Sequence, residues 1–448
     1  MMAKGLSWIG IGRLGLVQAA LGAIVVLTTS TINRVMIVEL TLPAMVPGLL
    51  VTWHYALQVL RPRWGHGSDN GGRRTPWIIS GMAALALGGF GAAVSVHLMG
   101  SSLMLGLAVA SLSFTLIGGG VGAAGTSLLV LLSKSVEEAR RAAAATIVWI
   151  MMIAGFIVTA ATAGHFLDPF STARLVAVAA VICSVAFVLT LLAVAGVERN
   201  HLPTEKSAGT KAPETPFLKA ASDVWSDVTA RRFAIFIFVS MLAYSAQDLI
   251  LEPFAGLVFN LTPGQSTSLS GVQNSGVLTG MILVGAAATI FSRSRLLTLR
   301  SWTVVGCLGS ALALFGLVAA AKVGPGWPLK PSVFALGFCN GVFAVAAIGS
   351  VFALANSEGQ SREGLRMGLF GASQAIAFGL GGFGGTMLAD VARYALGSPV
   401  TAYATVFAVE SVLFIVSAML ASAIGRPEGF GEAANPLVLA ARHQASGS

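Results

Sequence analysis

The sequence predicts an all-α membrane protein with twelve transmembrane helices, arranged as two pseudo-symmetric six-helix halves. Three observations support this. Of the 448 residues, 55% are hydrophobic and 10% are charged, whereas a soluble domain normally carries about 25% charged residues. The apolar residues form runs of about 20, the length needed to span a bilayer. The longest polar interruption, about residues 198–231, leaves six runs on each side.

Twelve apolar segments have a suitable length. They cover roughly residues 11–39, 43–62, 76–97, 101–132, 142–165, 172–196, 233–259, 268–291, 302–321, 331–355, 365–390 and 398–424. The first residues lack a small-residue cleavage site, so we expect them to be retained as the start of the first span. Cys183, Cys307 and Cys339 lie in separate segments without metal-ligand spacing, which predicts neither a disulfide framework nor a metal site.

The basic residues predict the orientation, because Lys and Arg collect in short cytoplasmic loops. With both termini in the cytoplasm, 22 of the 27 basic residues lie on the inner side. Arg174, Lys322, Lys330 and Arg393 lie on the outer side, and Arg34 lies within a span. The net charge of +9 therefore indicates cytoplasmic loops at an anionic leaflet and not nucleic-acid binding.

The chain divides into four parts: an N-terminal half at 1–197, a cytoplasmic linker at 198–232, a C-terminal half at 233–425 and a cytoplasmic tail at 426–448. The first part of the linker is rich in Pro, Ser, Thr and charge, which is typical of a flexible connection. Its second part has an apolar stripe that favours a short amphipathic helix on the membrane surface. A docking site for a partner is the alternative. The stripe consists of Phe217, Ala221, Val224, Trp225 and Val228.

The two halves carry matching loops. Glu138 and Arg141 follow the fourth span, and Glu363 and Arg366 follow the tenth, at an offset of 225 residues. Small residues follow in both cases. Repeats of this kind predict a pseudo-symmetric bundle in which any site lies between the halves.

The turn between the second and third spans reads GHGSDNGGRRT. It matches the Gly-x-x-x-Asp-x-x-Gly-Arg-Arg pattern of the major facilitator superfamily through Gly65, Asp69, Gly72, Arg73 and Arg74. The glycines permit a tight turn, and Asp69 is suited to a neighbouring helix N-terminus. Asn70 stands where the superfamily usually has a basic residue, and the turn between the eighth and ninth spans lacks the pattern. The motif indicates the fold and not the cargo.

Two pairs of glycines have the spacing that lets membrane helices approach closely. They are Gly118 with Gly122 in the fourth span and Gly381 with Gly385 in the eleventh. A crowded helix interface is the first interpretation. A flat apolar surface for a bulky ligand is the second.

Charged residues within spans are costly and usually functional. Arg34 lies 21 residues after Arg13, and Glu252 lies 20 after Arg232. Both are therefore about 30 Å above the inner surface, at the rise of an α-helix. We expect Arg34 to pair with Glu252 or Asp248 and so to tie the first span to the seventh.

The remaining polar residues of these spans extend this hypothesis. Asn33 precedes Arg34, and Glu39 is expected nearer the outer surface. Asp248 and Glu252 are four residues apart and share a helix face. Contact with a partner or pigment, or a proton relay, are the alternatives to structural pairing.

Two other polar residues within spans are candidates. His54 lies mid-span between Trp53 and Tyr55, and a neutral imidazole can ligate the magnesium of a chlorophyll. The alternative is a hydrogen-bonded interior histidine. Glu410 is a lone acid in the twelfth span, suited to a polar group of a partner or of a neighbouring helix. We find no acid–base–nucleophile set, phosphate loop or metal cluster, so the sequence predicts no enzyme.

Residues 33–82, NRVMIVELTLPAMVPGLLVTWHYALQVLRPRWGHGSDNGGRRTPWIISGM, together with QDLILEPFAGLVFN from Gln247, resemble the PucC/LhaA family. This is the bacteriochlorophyll-delivery branch of the major facilitator superfamily. The positions that match the family pattern are Asn33, Arg34, Glu39, Arg61, Arg63, Asp69, Arg73, Arg74, Asp248, Glu252 and Pro253.

The resemblance implies an assembly factor for the light-harvesting complexes of phototrophic bacteria, in the inner or intracytoplasmic photosynthetic membrane. Such a protein holds bacteriochlorophyll, or receives it near bacteriochlorophyll synthase, and passes it to newly inserted antenna polypeptides. The implied pigments are bacteriochlorophyll and, as a further candidate, a carotenoid. The implied partners are antenna polypeptides, the synthase and membrane lipids, and not nucleic acid. The alternative is a proton-coupled or facilitative transporter of a tetrapyrrole or another small molecule.

Overall fold

The described part of the chain forms a bundle of twelve helices. In this computed structural model the described residues are 6–58, 73–198, 226, 228–290, 298–356 and 363–423, and they contain no strand. The helices are α1 Trp8–Val38, α2 Met45–Leu57, α3 Thr75–Met99, α4 Leu103–Ser135, α5 Glu138–Phe166, α6 Thr172–Val194, α7 Val228–Phe259, α8 Pro263–Ile290, α9 Leu299–Val323, α10 Leu329–Asn356, α11 Glu363–Leu396 and α12 Pro399–Ala423.

Ten helices in the described part of the chain are long and apolar enough to cross a membrane. The other two are α2, which has 13 described residues, and α8, which has 28 residues but a polar first half. The polar side chains of α8 include Thr267, Ser270 and Gln273, all of which are buried. The predicted eighth span is therefore a helix whose polar residues face protein instead of lipid.

The two halves repeat the same packing. In the N-terminal half α1 packs on α5 and α6, α3 packs on α4 and α6, and α2 packs on α4. Each of these five pairs recurs six helices later, as α7 on α11 and α12, α9 on α10 and α12, and α8 on α10. Between the halves, α5 packs on α8, α2 packs on α11, and the end of α1 packs on α7 and α8. The predicted pseudo-symmetric arrangement is therefore present. The tail at 426–448 and nearly all of the linker lie outside the described residues, so those two parts stay predictions.

Each half has its own apolar core. Phe114 lies in the core of the N-terminal half, and Phe254 and Phe414 lie in that of the C-terminal half. A smaller cluster of Ile153, Val277 and Met281 joins α5 to α8. Because lipid is as apolar as these side chains, close packing and not transfer from water favours this arrangement.

The paired glycines lie at crowded helix contacts. A Cβ atom on Gly118 would lie 2.7 Å from the carbonyl oxygen of His54, and one on Gly385 would lie 2.8 Å from the Cβ of Ala246. A Cβ on Gly381 would collide with the backbone of Leu242. The prediction of a crowded interface is confirmed at these three positions, and Gly122 is also buried in α4.

A π-helical turn, Leu27–Ile32, interrupts α1. The hydroxyl groups of Thr28 and Thr29 donate to the carbonyl of Val25, at 2.9 Å each. Such back-bonding competes with the regular helix ladder. The extra residue of a π turn rotates the following side chains by about 100° relative to a continuous α-helix. The turn therefore sets the direction in which Asn33 and Arg34 point.

Candidate functional site

Polar residues at the end of α1 join the two halves. Asn33 and Arg34 are each only 1% exposed. The Asn33 amide donates to the carbonyl oxygen of Leu249 on α7, at 2.8 Å. Arg34 Nη2 donates to the carbonyl oxygen of Leu261, just after α7, also at 2.8 Å. The predicted contact between the first and seventh spans is therefore present, although backbone carbonyls carry it.

The expected ion pair between Arg34 and Glu252 or Asp248 is wrong. Arg34 Nη1 instead pairs with Glu39 Oε1 at 2.6 Å. Because α1 ends at Val38, the chain turns and brings Glu39 back over the guanidinium. Glu252, which is fully buried, accepts a hydrogen bond from Ser270 on α8, at 2.5 Å. The charge of Arg34 still lies near Glu252, as the equal depths of the two residues predict.

A second contact links the same region of α1 to α8. The hydroxyl oxygens of Thr31 and Thr267 are 3.1 Å apart, and both residues are buried. Two polar residues of α8 therefore have hydrogen-bond partners on neighbouring helices: Thr267 with Thr31 on α1, and Ser270 with Glu252 on α7. The polar character of α8 follows from its position against α1 and α7.

Two acids that sequence reasoning missed form hydrogen bonds between the halves, at the end of the bundle that the sequence predicts to be the outer one. Asp168, after α5, accepts from the hydroxyl of Thr262 before α8, at 2.8 Å. Asp390 on α11 accepts from the backbone N–H groups of Ala44 and Met45 at the start of α2, at 3.0 and 2.8 Å. Each bond crosses between the halves. We call Asp168 and Asp390 with these partners the outer latches.

The outer latches are related by the pseudo-symmetry. α5 corresponds to α11, and the start of α8 corresponds to the start of α2. The two acids are 222 residues apart, close to the offset of the loop repeats. That offset is the signal that the sequence offers, but acids at helix ends are usually solvated, so the spacing alone does not single them out.

Asp248 lies one turn inward of Glu252 and has no hydrogen bond among the described residues. Tyr244 lies four residues before Asp248 on the same face of α7, and α7 packs on α12, which carries Glu410. Glu410 on α12 is 2% exposed, and neither of its carboxylate oxygens has a hydrogen-bond partner in the described part of the chain. Because α12 packs on α7, α9 and α11, the polar group that Glu410 meets stays a prediction.

Aromatic rings from both halves contact Tyr244, either directly or through Phe378. The ring centroids of Tyr55 on α2 and Phe378 on α11 are 5.4 Å apart. Those of Tyr244 and Phe378 are 5.9 Å apart, and those of Tyr244 and Phe343 are 6.3 Å apart. Tyr55, Tyr244 and Phe378 are half-buried, whereas Phe343 on α10 is fully buried. We call Tyr55, Tyr244 and Phe378 the aromatic cluster.

His54 precedes Tyr55 of this cluster on α2. It is 1% exposed, and its ring centroid is 4.6 Å from that of Tyr55. The side-chain nitrogen of Gln58 lies 2.8 Å from Nε2 of His54. This bond occupies Nε2, whichever of the two side chains donates. This geometry favours the hydrogen-bonded interior alternative over the predicted pigment ligand.

The inner motif is only partly within the described residues. Gly65, Asp69 and Gly72 lie outside them. The backbone N–H groups of Arg74 and Thr75 donate to Glu198, at 2.6 and 2.9 Å. Glu198 therefore caps the first turn of α3, and a cavity of about 610 Å³ that Arg73 helps to line lies beside this cap.

The loop repeats begin equivalent helices. Glu138 is the first residue of α5, and Glu363 is the first residue of α11. Arg141 lies in the first turn of α5 and donates to the carbonyl oxygen of Val136, at 3.3 Å. Arg366 occupies the matching position of α11. The repeats thus mark the pseudo-symmetry, and a further role for them stays a prediction.

Comparisons with known proteins agree with this architecture. Residues 31–429 match the family model described as PUCC protein. The "Bacteriochlorophyll synthase 44.5 kDa chain" of Rhodobacter capsulatus is 51% identical over 428 residues, which cover 95% of this chain and 97% of that relative. "Protein PucC" of Cereibacter sphaeroides is 30% identical over 446 residues, which cover 92% of each chain.

Solved structures show the same fold at low sequence identity. A D-xylose-proton symporter aligns with a TM-score of 0.72 and 12% identity, over 94% of this chain and 99% of its own. A point mutant of the nucleoside transporter NupG aligns with a TM-score of 0.65 and 14% identity, over 93% of this chain and 100% of its own. The predicted major facilitator superfamily fold is confirmed, and the chain is a multi-pass membrane protein.

The prediction of no enzyme needs correction. The relative from Rhodobacter capsulatus, at 51% identity, is named as a chain of an enzyme, bacteriochlorophyll synthase. That prediction rested on the absence of familiar catalytic residue sets. A search for such sets detects only enzymes whose catalytic residues form a recognisable sequence motif. The resemblance noted from the sequence is confirmed by the match over residues 31–429 and by the relatives named PucC. The chain belongs to the PUCC protein family.

Proposed function

We propose that the protein is an assembly factor for bacterial light-harvesting antenna complexes. In this proposal it works in association with bacteriochlorophyll synthase, holds bacteriochlorophyll and delivers it to newly inserted antenna polypeptides. The observation that carries the proposal is the 51% identity, over 95% of the chain, to a protein named as a bacteriochlorophyll synthase chain. Relatives named PucC support the link to the antenna.

Hydrogen bonds between the halves near the predicted outer end support delivery within the membrane. Asn33, Arg34, Asp168 and Asp390 all bond across the halves near this end. An antenna pigment stays in the bilayer, so its delivery needs no passage to the outer side. A bundle whose halves are bonded together near the predicted outer end suits a carrier that accepts and releases its cargo from the membrane or the inner side.

The proposed location is the inner or intracytoplasmic photosynthetic membrane, with both termini in the cytoplasm. Arg13, near the predicted inner end of α1, donates to the carbonyl oxygens of Leu192 and Ala195 at the end of α6, at 3.1 and 2.5 Å. Arg34 lies near the other end.

Membrane lipids contact the outer face of the bundle in this proposal, and a carotenoid stays a further candidate ligand.

Affinity purification tests the proposal. The tagged protein is isolated in mild detergent from a phototrophic host, and its absorption spectrum and co-purifying polypeptides are recorded. We expect bacteriochlorophyll, the synthase and small antenna polypeptides to accompany it. A strain that lacks the protein should accumulate less antenna complex at an unchanged level of antenna transcript. Purified protein without pigment, synthase or antenna polypeptides would contradict the proposal.

A second candidate function is proton-coupled transport of a tetrapyrrole or another small molecule. The acids Asp248, Glu252 and Glu410 within the spans and the fold likeness to a proton symporter favour it. The protein is reconstituted in vesicles, and uptake of the candidate molecule is measured with and without a proton gradient. Gradient-driven uptake that is lost in Asp248→Asn would support transport, and equal uptake in both conditions would exclude coupling.

A further inference from the structure

Two buried oxygen atoms where α1 meets α7 lack a hydrogen-bond donor. Glu252 is fully buried, and Asn33 is 1% exposed. Oε1 of Glu252 accepts from Ser270, but Oε2 of Glu252 and Oδ1 of Asn33 have no hydrogen-bond partner among the described residues. A buried acceptor without a donor is costly, and a buried carboxylate is more so. A positive centre that both oxygens contact would remove this cost.

The contacts between α1 and α7 bring Asn33 to the face of α7 that carries Glu252. The Asn33 amide bonds to the carbonyl oxygen of Leu249, and a Cβ on Gly256 would lie 3.0 Å from Nη2 of Arg34. Leu249, Glu252 and Gly256 are three and four residues apart, so they share one face of the helix. Glu252 therefore lies between the contact of Asn33 and that of Arg34.

Two hydroxyl groups add further oxygens at this place. Thr267 lies one turn before Ser270 on α8 and close to the Glu252 carboxylate. Its hydroxyl oxygen is 3.1 Å from that of Thr31, and both residues are buried. We call Thr31, Asn33, Glu252 and Thr267 the oxygen cluster. Its members come from α1, α7 and α8, so the cluster joins the two halves.

The charges around the oxygen cluster leave Glu252 without a counter-charge. The guanidinium of Arg34 pairs with Glu39, at 2.6 Å. α8 carries no charged residue, and the charged neighbour of Glu252 one turn inward on α7 is a second acid, Asp248. A carboxylate in the membrane interior is costly unless a positive group meets it. One monovalent cation would neutralise the charge of Glu252.

We propose that the oxygen cluster binds a sodium ion between the two halves. A proton on Glu252 needs only one further acceptor, whereas a hard cation takes several oxygen ligands. The cluster provides a carboxylate oxygen, an amide oxygen and two hydroxyl oxygens, which is the set that suits such a cation. The inference goes beyond the proposed function, because the ion binds whether or not the chain holds pigment.

Equilibrium binding of radioactive sodium to the purified full-length protein tests the site. Binding is measured in detergent at a mildly alkaline pH, where few protons compete, and choline chloride keeps the ionic strength constant. We expect saturable binding that unlabelled sodium displaces and choline does not. Glu252→Gln keeps the size of the side chain but removes its charge, and it should weaken binding by about tenfold or more.

Matched variants guard against misfolding. Thr31→Val with Thr267→Val removes two oxygens at nearly constant shape and unchanged charge, and it should weaken binding about tenfold. This double variant replaces Glu252→Gln if the latter fails to elute as a single species. Glu137→Gln removes an exposed acid at the start of α5 and should bind sodium as the wild type does.

Three results would overturn the sodium site. The first is a wild-type protein without saturable sodium binding, which would leave a protonated Glu252 as the explanation of the unpartnered oxygens. The second is unchanged affinity in both Glu252→Gln and the double threonine variant. The third is binding that is lost in Asp248→Asn but kept in Glu252→Gln. Because neither pigment nor antenna polypeptides enter this measurement, its result is independent of the proposed function.

Discussion

At the scale of residues, Arg34 shows how a buried cation is held at a junction between two halves. Its depth could be predicted from counting along α1, and so could the identity of the facing helix. Its partner could not, because that depends on where α1 ends and how Glu39 folds back. Gly256 on α7 leaves space for the guanidinium group of Arg34, since a Cβ at this position would lie 3.0 Å from Nη2 of Arg34. Spacing along the chain predicts depth, whereas side-chain pairing depends on the local turn.

Replacement of Arg34 should destabilise the protein more than replacement of its ion-pair partner. Arg34→Met removes both the pair and the bond to the Leu261 carbonyl, so we expect a loss of about 3 kcal/mol. Glu39 is 34% exposed, so water partly screens its charge, and Glu39→Gln, which keeps the bond from Arg34 to the Leu261 carbonyl, should lose less than Arg34→Met. Unfolding of the two variants in detergent is followed by intrinsic fluorescence. Equal losses would show that the ion pair, and not the bond across the halves, stabilises this junction.

At the scale of elements, the helices and their order could be predicted from apolar runs, but their local geometry could not. The π turn of α1 has no sequence signature beyond its run of Thr and Ser. The outer latches use acids at helix ends, where solvated charges are the usual case. α8 looked like an ordinary span, although its polar residues contact α1 and α7. These features depend on contacts between helices that are distant in the sequence.

Two glycines of α11 provide a matched test of close packing. A Cβ on Gly381 would collide with the backbone of Leu242, whereas one on Gly384 would have nothing within 4 Å. Gly381→Ala should therefore cost about 1 to 3 kcal/mol, since backbone must shift. Gly384→Ala should be neutral or stabilise by up to about 1 kcal/mol. Thermal unfolding of the purified variants measures both. A loss of the same size in Gly384→Ala would contradict the packing account.

The outer latches should hold the outer end closed. In a background without Cys183, Cys307 and Cys339, a cysteine at Thr267, which is 2% exposed, reports access from outside. Asp168→Asn with Asp390→Asn should raise its labelling by a membrane-impermeant maleimide several-fold, because both latches lose charge-assisted bonds.

Arg393→Gln serves as the matched control for the latch variants. It removes a charge from the outer end of α11 without removing a latch bond, and it should leave the labelling rate unchanged. If the double latch variant labels no faster than its parent, the latches do not keep this end closed.

At the scale of the whole molecule, the two halves meet through contacts that include the outer latches, the Asn33 and Arg34 bonds and the aromatic cluster. The fold, the number of helices and the family could be predicted from composition, periodicity and two sequence segments. The site could be predicted only in part: Asp248 was a candidate, but the rings of Tyr55, Tyr244 and Phe378 lie on three helices from both halves. Only the folded bundle brings them together.

The central claim, that the chain delivers bacteriochlorophyll to antenna polypeptides, is tested most directly by transfer of pigment between purified components. Protein loaded with bacteriochlorophyll is mixed with pigment-free antenna polypeptides in lipid vesicles, and the absorption spectrum is followed over time. The account predicts that the red-shifted antenna band grows as the band of the bound pigment falls, and faster than with the same amount of free pigment. Retention of the pigment without growth of the antenna band, or a rate no greater than that of free pigment, would contradict it.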